Sequence, residues 1–324
     1  MRIADGNLRI GLAEGGEIEL KGGQLAVLAG RVEEGKTAFA LSLAAAANSW
    51  GKCPVAYFSL GMGHNDIVEN RWLVTIDPYL DSQSAADIIW DDEHVLEGID
   101  IPFRYLRDIF APNPEAFCER LREFLHSPDA GEKPRLIVVD ALQKIGDSSY
   151  DVAHAFVEDA MRRLKALARE QDAAVLLLSD CGGRYDQPGR APLLSDISET
   201  VAKGADMVWI LDRDDIWAPD ERRHRPPADI KSRPARVHVL KRDDGGPDGS
   251  FPLEWNERSS SFTFGPPNVH NPEFAPLRHW NELRAWRQQL EKRRLQRAGK
   301  RKRETQDAAK TYATPQELWD ELSV

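Results

Sequence analysis

Runs of consecutive apolar residues alternate along the chain with segments whose apolar residues recur at helical spacing. The runs are typical of strands buried on both faces of a sheet: Leu25–Gly30, Pro54–Leu60, Arg135–Asp140, Ala173–Ser179 and Asp206–Leu211. Helices are predicted at Ala38–Ser49, Ile67–Val74, Glu115–Leu125 and from Val152 onwards, with Asp151 as N-cap. This alternation predicts an α/β fold: a mostly parallel sheet with helices on both faces.

The pattern changes after the fifth run. Polar, Pro-rich Asp212–Pro234 predicts a surface loop. Three further apolar segments predict closing antiparallel strands, with a Gly-rich turn at Asp243–Gly249: Val237–Leu240, Phe251–Trp255 and Phe262–Phe264. We therefore place a core at residues 1–266 and a basic helical tail at 267–324, which ends in a short helix capped at Thr314.

Charge separates the tail from the core. The 324 residues carry a net charge of −10, yet Asn281–Arg303 holds ten basic and two acidic residues. This segment therefore carries +8 and the remainder −18, so nucleic acid would be repelled by the body and attracted by the tail.

The mean hydropathy of −0.50 predicts no membrane span. No signal peptide is evident, and the three cysteines lack metal-site spacing, so the cytoplasm is the expected location.

The first strand runs directly into G-x-x-x-x-G-K-T at Gly30–Thr37, and a helix follows. In this setting the motif predicts a phosphate-binding loop, because backbone N–H groups and the helix N-terminus donate to phosphates. Lys36 would add a point charge and Thr37 would hold Mg²⁺. The candidate nucleotide-binding residues are Gly30, Glu34, Gly35, Lys36, Thr37 and Ala38.

An acidic residue at the end of another strand supports the same nucleotide site. Leu136–Asp140 is an apolar strand that ends in a carboxylate, at the sheet edge where ligands of α/β sheets bind. Asp140 is therefore a candidate metal residue, together with Thr37, for the Mg²⁺ that accompanies ATP.

In their order, these motifs resemble the ATPase domain of DnaB-type hexameric helicases, a RecA-like fold. The resemblance spans about residues 20–265 and rests on eight short segments: Gly35–Leu41, Val55–Met62, Leu136–Gln143, Arg162–Ala168, Pro192–Asp196, Ala205–Val208, Arg213–Asp215 and Val239–Arg242. It implies a homo-oligomeric ring, by analogy a hexamer, with ATP between neighbours and single-stranded DNA in the channel. Lys241 and Arg242 would then reach the ATP of the next subunit.

Three positions depart from the family pattern. The second strand of the family ends in F-S-L-E-M, and its Glu activates water, whereas this chain has Gly61. Ala141 stands where other P-loop ATPases place their base. Ser179-Asp180 replaces Ser-Gln, so Asp180 either takes over the water or weakens ATP binding by like-charge repulsion. The candidate catalytic residues are Lys36, Asp180, Lys241 and Arg242.

Candidate DNA contacts lie in the core and in the tail. The loop that follows the fourth strand carries Arg184 and Arg190, and Lys144 follows the third strand. In the tail, an apolar stripe at helical spacing could dock on the body or on a partner protein, and the Lys/Arg run beside it could track phosphates: Trp280, Leu283, Trp286 and Leu290.

Two functions remain open from the sequence. One is an ATP-driven DNA translocase, and the other is a nucleotide-binding scaffold that has lost efficient turnover, so enzyme activity is not decided. Replicative members of the family carry an N-terminal domain and a linker helix. Here only about twenty residues precede the first predicted strand. We therefore expect a stand-alone ring or a subunit that works with a partner.

Overall fold

The chain forms two compact units, Met1–Val269 and His270–Val324. The computed structural model describes residues 2–4, 7–11, 17–51, 53–60, 104–106, 112–127, 132–145, 154–181, 190–213, 233–243, 248–256 and 261–264. The tail predictions, the predicted helix Ile67–Val74 and the N-cap Asp151 all lie outside these residues, as do Gly61 and Arg184.

Twelve strands and four α-helices lie in the described part of the chain. The strands are β1 (Arg2–Ala4), β2 (Asn7–Gly11), β3 (Glu17–Leu20), β4 (Leu25–Gly30), β5 (Val55–Ser59), β6 (Arg104–Leu106), β7 (Leu136–Asp140), β8 (Ala174–Asp180), β9 (Met207–Asp212), β10 (Arg233–Arg242), β11 (Gly249–Asn256) and β12 (Ser261–Phe264). The helices are α1 (Lys36–Gly51), α2 (Pro114–His126), α3 (His154–Gln171) and α4 (Glu199–Gly204).

Nine strands form the main sheet in the order β12-β11-β10-β9-β4-β8-β7-β5-β6. The six strands from β9 to β6 are parallel, and β10, β11 and β12 extend the sheet with antiparallel pairs. The predicted α/β class, its parallel core and its closing antiparallel strands are therefore confirmed. The five predicted core strands are present, with their ends unchanged or shifted by one residue.

Helices cover both faces of the parallel strands. Alternate strand residues pack with α1 on one face, and the others pack with α2, α3 and α4 on the opposite face. Burial on both faces explains why each core strand is a continuous apolar run. It also places Gly30, Ser59, Asp140 and Asp180, which end four strands, at positions of the α1 face, because side chains alternate along a strand.

The start of the chain differs from expectation. Three strands, β1, β2 and β3, precede β4 and form a separate antiparallel sheet. The prediction that the first strand begins near Leu25 is therefore wrong. The strands are short and alternate charged with apolar residues: Ile18 and Leu20 are buried, whereas Glu19 faces Arg9 across the strand pair. Such short strands give a weak periodic signal.

No described helix is long and apolar enough to cross a lipid bilayer.

Candidate functional site

The loop between β4 and α1 has the backbone that a phosphate-binding loop requires. Glu33 and Gly35 have positive φ angles of 68° and 93°, and such alternating conformations turn successive N–H groups toward one point. A Cβ on Gly35 would also lie 3.2 Å from the ring of Phe262. Gly35 is therefore needed both for its φ angle and for the close approach of β12.

Lys36 begins α1 and already has three oxygen partners. Its Nζ donates to the backbone oxygens of Gly30 at 3.0 Å and Arg31 at 2.8 Å, and lies 2.8 Å from Asp180 Oδ1. An ammonium group has three N–H donors, so these partners account for all of them. A bound phosphate must therefore replace one of these contacts.

Glu34 turns into the protein rather than away from it. Glu33 is exposed to solvent, whereas Glu34, the next residue of the loop, is 0% exposed. Its carboxylate accepts from the Arg31 backbone N–H at 2.7 Å and from Arg31 Nε at 2.6 Å. Burial raises the pKa of Glu34, and the hydrogen bonds and charge of Arg31 oppose this shift.

Arg31 connects this loop to the end of β9. Its guanidinium lies 3.2 Å from Asp212 Oδ1, whose other oxygen lies 3.5 Å from His238 on β10. The sequence motif leaves position 31 unspecified, so nothing in the pattern identified this arginine. Two carboxylates, Glu34 and Asp212, therefore hold the second cation of the loop.

The carboxyl end of β7 carries the predicted metal residue. Asp140 is 9% exposed and accepts a hydrogen bond from the Tyr57 hydroxyl at 2.8 Å. It is directly opposite Ser59 on β5. The Ser59 hydroxyl is buried and has no hydrogen-bond partner in the structure as described. Tyr57 and Ser59 were not identified from the sequence, because each reads as part of an apolar strand.

Asp180 ends β8, the direct neighbour of β4. Gly30 and Asp180 are opposite each other in the parallel pair, and the Cys181 N–H donates to Gly30 O at 3.1 Å. The structure thus brings Asp180 to Lys36. Ser179, one residue earlier, accepts a hydrogen bond from Gln143 at 3.0 Å. Burial raises the pKa of the neighbouring Cys181 thiol to about 12, so this cysteine stays protonated at neutral pH.

Aromatic residues of the closing strands pack behind the loop. Trp255 and Phe262 contact each other with ring centroids 4.7 Å apart, and both approach Gly35. The Arg213 guanidinium lies 4.0 Å from the Trp255 ring centroid, a cation–π geometry. The Ser42 hydroxyl of α1 also accepts the Phe262 N–H at 3.1 Å. The antiparallel strands therefore support the position of the loop and of α1.

Lys241 and Arg242 lie at the end of β10, opposite β9. Lys241 Nζ donates to the carbonyl oxygens of Ala202, at 3.1 Å, and Ala205, and it lies 3.4 Å from Asp243. Lys241 therefore has partners within its own chain, at the end of α4.

Two of the residues predicted to contact DNA, Lys144 and Arg190, lie in the described part of the chain, and their environments differ. Lys144 is exposed in a 3₁₀ turn, Leu142–Lys144, that follows β7. The Arg190 guanidinium lies 2.7 Å from buried Asp196. Arg190 is thus bound to its own loop, whereas Lys144 faces solvent.

The described residues contain no cluster of three or more His, Cys, Asp or Glu side chains that could hold a metal. The oxygen-bearing residues Thr37 and Asp140 nevertheless fit Mg²⁺, which prefers oxygen ligands and is commonly held by one or two protein groups together with substrate phosphates.

A parallel sheet whose strand ends carry G-x-x-x-x-G-K-T and a neighbouring aspartate defines the class: a P-loop protein of RecA-like architecture. The model of the DnaB-like helicase C-terminal domain matches residues 17–264. The chain belongs to this family, and the resemblance stated from its motifs is confirmed.

Similar proteins agree with this assignment. The replicative DNA helicase DnaB of Geobacillus stearothermophilus is 30% identical over 221 residues, which cover 60% of this chain and 44% of that protein. The replicative DNA helicase DnaB of Haemophilus influenzae is 26% identical over 256 residues, covering 75% and 52%. The chain thus spans about half the length of these relatives.

Two solved structures share the fold. One is a DnaB-like replicative helicase described with its interactions with primase, with a TM-score of 0.59 and 22% identity, covering 75% of this chain and 58% of that one. The other is described as an ATPase domain, with a TM-score of 0.57 and 22% identity, covering 76% and 86%. At this identity the likeness concerns the fold.

Proposed function

We propose that this chain is an ATP-binding subunit of a ring-forming motor that acts on single-stranded DNA in the cytoplasm, with ATP hydrolysis coupled to DNA binding or translocation. The observation that carries the proposal is the phosphate loop, whose Lys36 contacts Asp180 at the edge of a DnaB-family sheet where the strand that ends in Asp140 also terminates. This is the edge at which open α/β sheets bind ligands.

Within this site each residue has a separate task. The loop Gly30–Thr37 would bind the phosphates through its backbone N–H groups, and Lys36 would exchange one of its present partners for a phosphate oxygen. Ala38, buried in the first turn of α1, keeps the helix N-terminus against the sheet. Thr37 and Asp140 would hold Mg²⁺, which neutralises phosphate charge.

Neighbouring subunits would complete the site. Lys241 and Arg242 are proposed to reach the ATP of the next subunit, and Lys241 would first have to leave the carbonyl oxygens of Ala202 and Ala205. DNA would contact Lys144, Arg184 and Arg190 in the channel, and the basic tail would bind DNA or a partner protein. For Arg190 this role requires breaking its ion pair with Asp196.

A second function is supported by specific observations: a nucleotide-binding scaffold with little turnover, which oligomerises and recruits partners to nucleic acid. Gly61 and Ala141 offer no base in the positions where related ATPases place one. Asp180, the candidate that could replace this base, is engaged with Lys36 at 2.8 Å.

The two functions are separated by measuring nucleotide binding and ATP hydrolysis with and without single-stranded DNA. For a motor we expect turnover that rises with DNA and is abolished in Lys36→Ala. For a scaffold we expect binding without turnover, and a gain of hydrolysis in Gly61→Glu. A restored base is worth on the order of 10²- to 10⁴-fold in rate. Lys203→Ala, an exposed lysine on α4, is the matched control. Nucleotide binding that survives Lys36→Ala unchanged would contradict both functions.

A further inference from the structure

Asp180 stands where the family pattern has Gln, and it brings a carboxylate against the lysine of the predicted phosphate loop. A phosphate-loop lysine normally reaches the β- and γ-phosphates, whereas here Lys36 Nζ lies 2.8 Å from Asp180 Oδ1. We propose that Asp180 determines nucleotide specificity: it competes with the γ-phosphate for Lys36 and thereby favours nucleoside diphosphate over triphosphate. This inference rests on the proposed nucleotide site.

The backbone at Asp180 cannot withdraw from Lys36. β8 lies between β4 and β7 in the sheet, Asp180 is opposite Gly30, and the Cys181 N–H donates to Gly30 O at 3.1 Å. Because an aspartate side chain has a single methylene, only rotation about its own bonds can move the carboxylate. A phosphate oxygen that binds Lys36 at about 2.8 Å therefore lies within about 6 Å of Asp180 unless that side chain rotates into solvent.

The other cation of the loop is engaged elsewhere. Arg31 Nε donates to Glu34 at 2.6 Å, and its guanidinium lies 3.2 Å from Asp212. Arg31 therefore pairs with Glu34 and Asp212, whereas Asp180 pairs with Lys36. A γ-phosphate adds negative charge at this point, whereas the loop amides hold the inner phosphates that ATP and ADP share.

The expected change in nucleotide affinity depends on the distance between Asp180 and the γ-phosphate and on the exposure of the Asp180 side chain. The Asp180 side chain is 42% exposed, so water screens the repulsion. One unit charge about 6 Å away changes a binding constant roughly threefold in bulk water and roughly a hundredfold at an effective dielectric constant of about 20, so for this partly exposed carboxylate we expect about tenfold.

The test compares the affinities of the 324-residue protein for β,γ-imido-ATP and ADP, each with Mg²⁺, by calorimetric titration. We expect Asp180→Asn to lower the ratio of Kd for the triphosphate to Kd for the diphosphate by about tenfold. Asp180→Gln, which restores the residue of the family, should do the same. Glu170→Gln is the matched control, because Glu170 is likewise partly exposed, at 41%, and pairs with a cation, Arg122, at 2.8 Å. Glu170 lies at the end of α3, before the start of β8 and at the opposite end of that strand from Asp180, so the ratio should not change.

A second measurement repeats the comparison at higher salt. The Debye length is about 10 Å at 0.1 M salt and about 3 Å at 1 M, so the difference in this ratio between the wild type and Asp180→Asn should shrink as salt is raised. Comparing the two proteins cancels the effect of salt on the attraction between Lys36 and the phosphate. An unchanged ratio in the Asp180 variants, or a difference that is independent of salt, would overturn the inference. Turnover lost in Asp180→Asn with the ratio unchanged would instead identify Asp180 as a group acting on water, which also overturns it. Binding that is insensitive to Lys36→Ala would refute the proposed site itself.

Discussion

Three acidic side chains hold the two cations of the phosphate loop, and the motif specifies none of these pairings. Asp180 holds Lys36 from a neighbouring strand. Glu34, from within the loop, and Asp212, at the end of β9, hold Arg31. Glu34 is fully buried, and its two oxygens accept from both the backbone and the side chain of Arg31. At the residue scale, ion pairs with acidic side chains therefore position both cations of the loop.

Gly35 provides a test of how the loop backbone is held. We expect Gly35→Ala to destabilise the protein by about 2–3 kcal/mol, because Ala is strained at positive φ and its Cβ would press on Phe262 at 3.2 Å. Thermal unfolding measures the loss, and titration with a nucleotide should show weaker binding.

Gly23 is the matched control for this substitution. Its φ of 81° is similar, but a Cβ there would meet the Arg169 side chain at an ordinary 3.6 Å. Gly23→Ala should therefore cost only the backbone strain, about 1 kcal/mol, and leave nucleotide affinity unchanged. Equal losses of stability in the two variants would show that Phe262 does not constrain the loop.

At the element scale, Asp206 joins three elements at the edge of the sheet opposite the site. Its Oδ2 accepts the backbone N–H of Leu25, at the start of β4, at 2.8 Å, and its Oδ1 lies 2.7 Å from Lys165 on α3. Asp206 itself immediately precedes β9. Burial alone would raise the pKa of Asp206, but the hydrogen bonds from Leu25 and Lys165 outweigh it and lower the pKa.

This pairing predicts a pH-dependent stability. The folded state binds the proton of Asp206 less tightly than the unfolded state does. The stabilisation that Asp206 contributes to the folded state is therefore complete above about pH 5 and is lost as the pH falls below about 4. We expect Asp206→Asn to lower the free energy of unfolding by about 2 kcal/mol at pH 7, measured by urea titration. The difference from wild type should shrink toward acid pH.

Asp159 is the control for this prediction. It lies on α3, as Lys165 does, and pairs with Arg162 and Arg163 at the partly exposed surface. Asp159→Asn should therefore cost much less, since exposed ion pairs contribute little. A cost for Asp206→Asn that is no larger, or that does not depend on pH, would contradict the assigned role.

For the whole molecule, the sequence predicts an acidic body that carries a basic segment near its end. We expect the tail to supply much of the salt-dependent attraction to single-stranded DNA. Replacing Lys300, Arg301, Lys302 and Arg303 by Gln should reduce the slope of log Kd against log salt by up to about 3, since each phosphate contact on single strands contributes about 0.7.

The control variant removes the same number of charges from the body. Four basic residues that are exposed on the described surface serve this purpose when changed to Gln: Arg120, Lys133, Arg169 and Lys203. We expect their loss to leave the slope nearly unchanged. Equal slopes in the tail variant and the wild type would show that the tail does not contact DNA.

The sequence by itself determined the class of fold and the position of the phosphate loop. Strands buried on both faces must be apolar throughout, so the five core strands were visible as continuous runs. The G-x-x-x-x-G-K-T motif constrains the local backbone so strongly that the tight loop from Gly30 to Gly35 and the helix after it could be predicted without a structure. The weakly periodic strands β1, β2 and β3 carried no comparable signal.

Only the tertiary structure decided what the side chains around the loop do. Lys36 and Asp180 are 144 positions apart in the chain, and their contact exists because β4 and β8 are neighbours in the sheet. Packing likewise determines three further features: the burial of Glu34, the ion pair between Arg31 and Asp212, and the hydrogen bond from Tyr57 to Asp140. Motifs specify local backbone, whereas charge pairing between strand ends depends on the order of the strands.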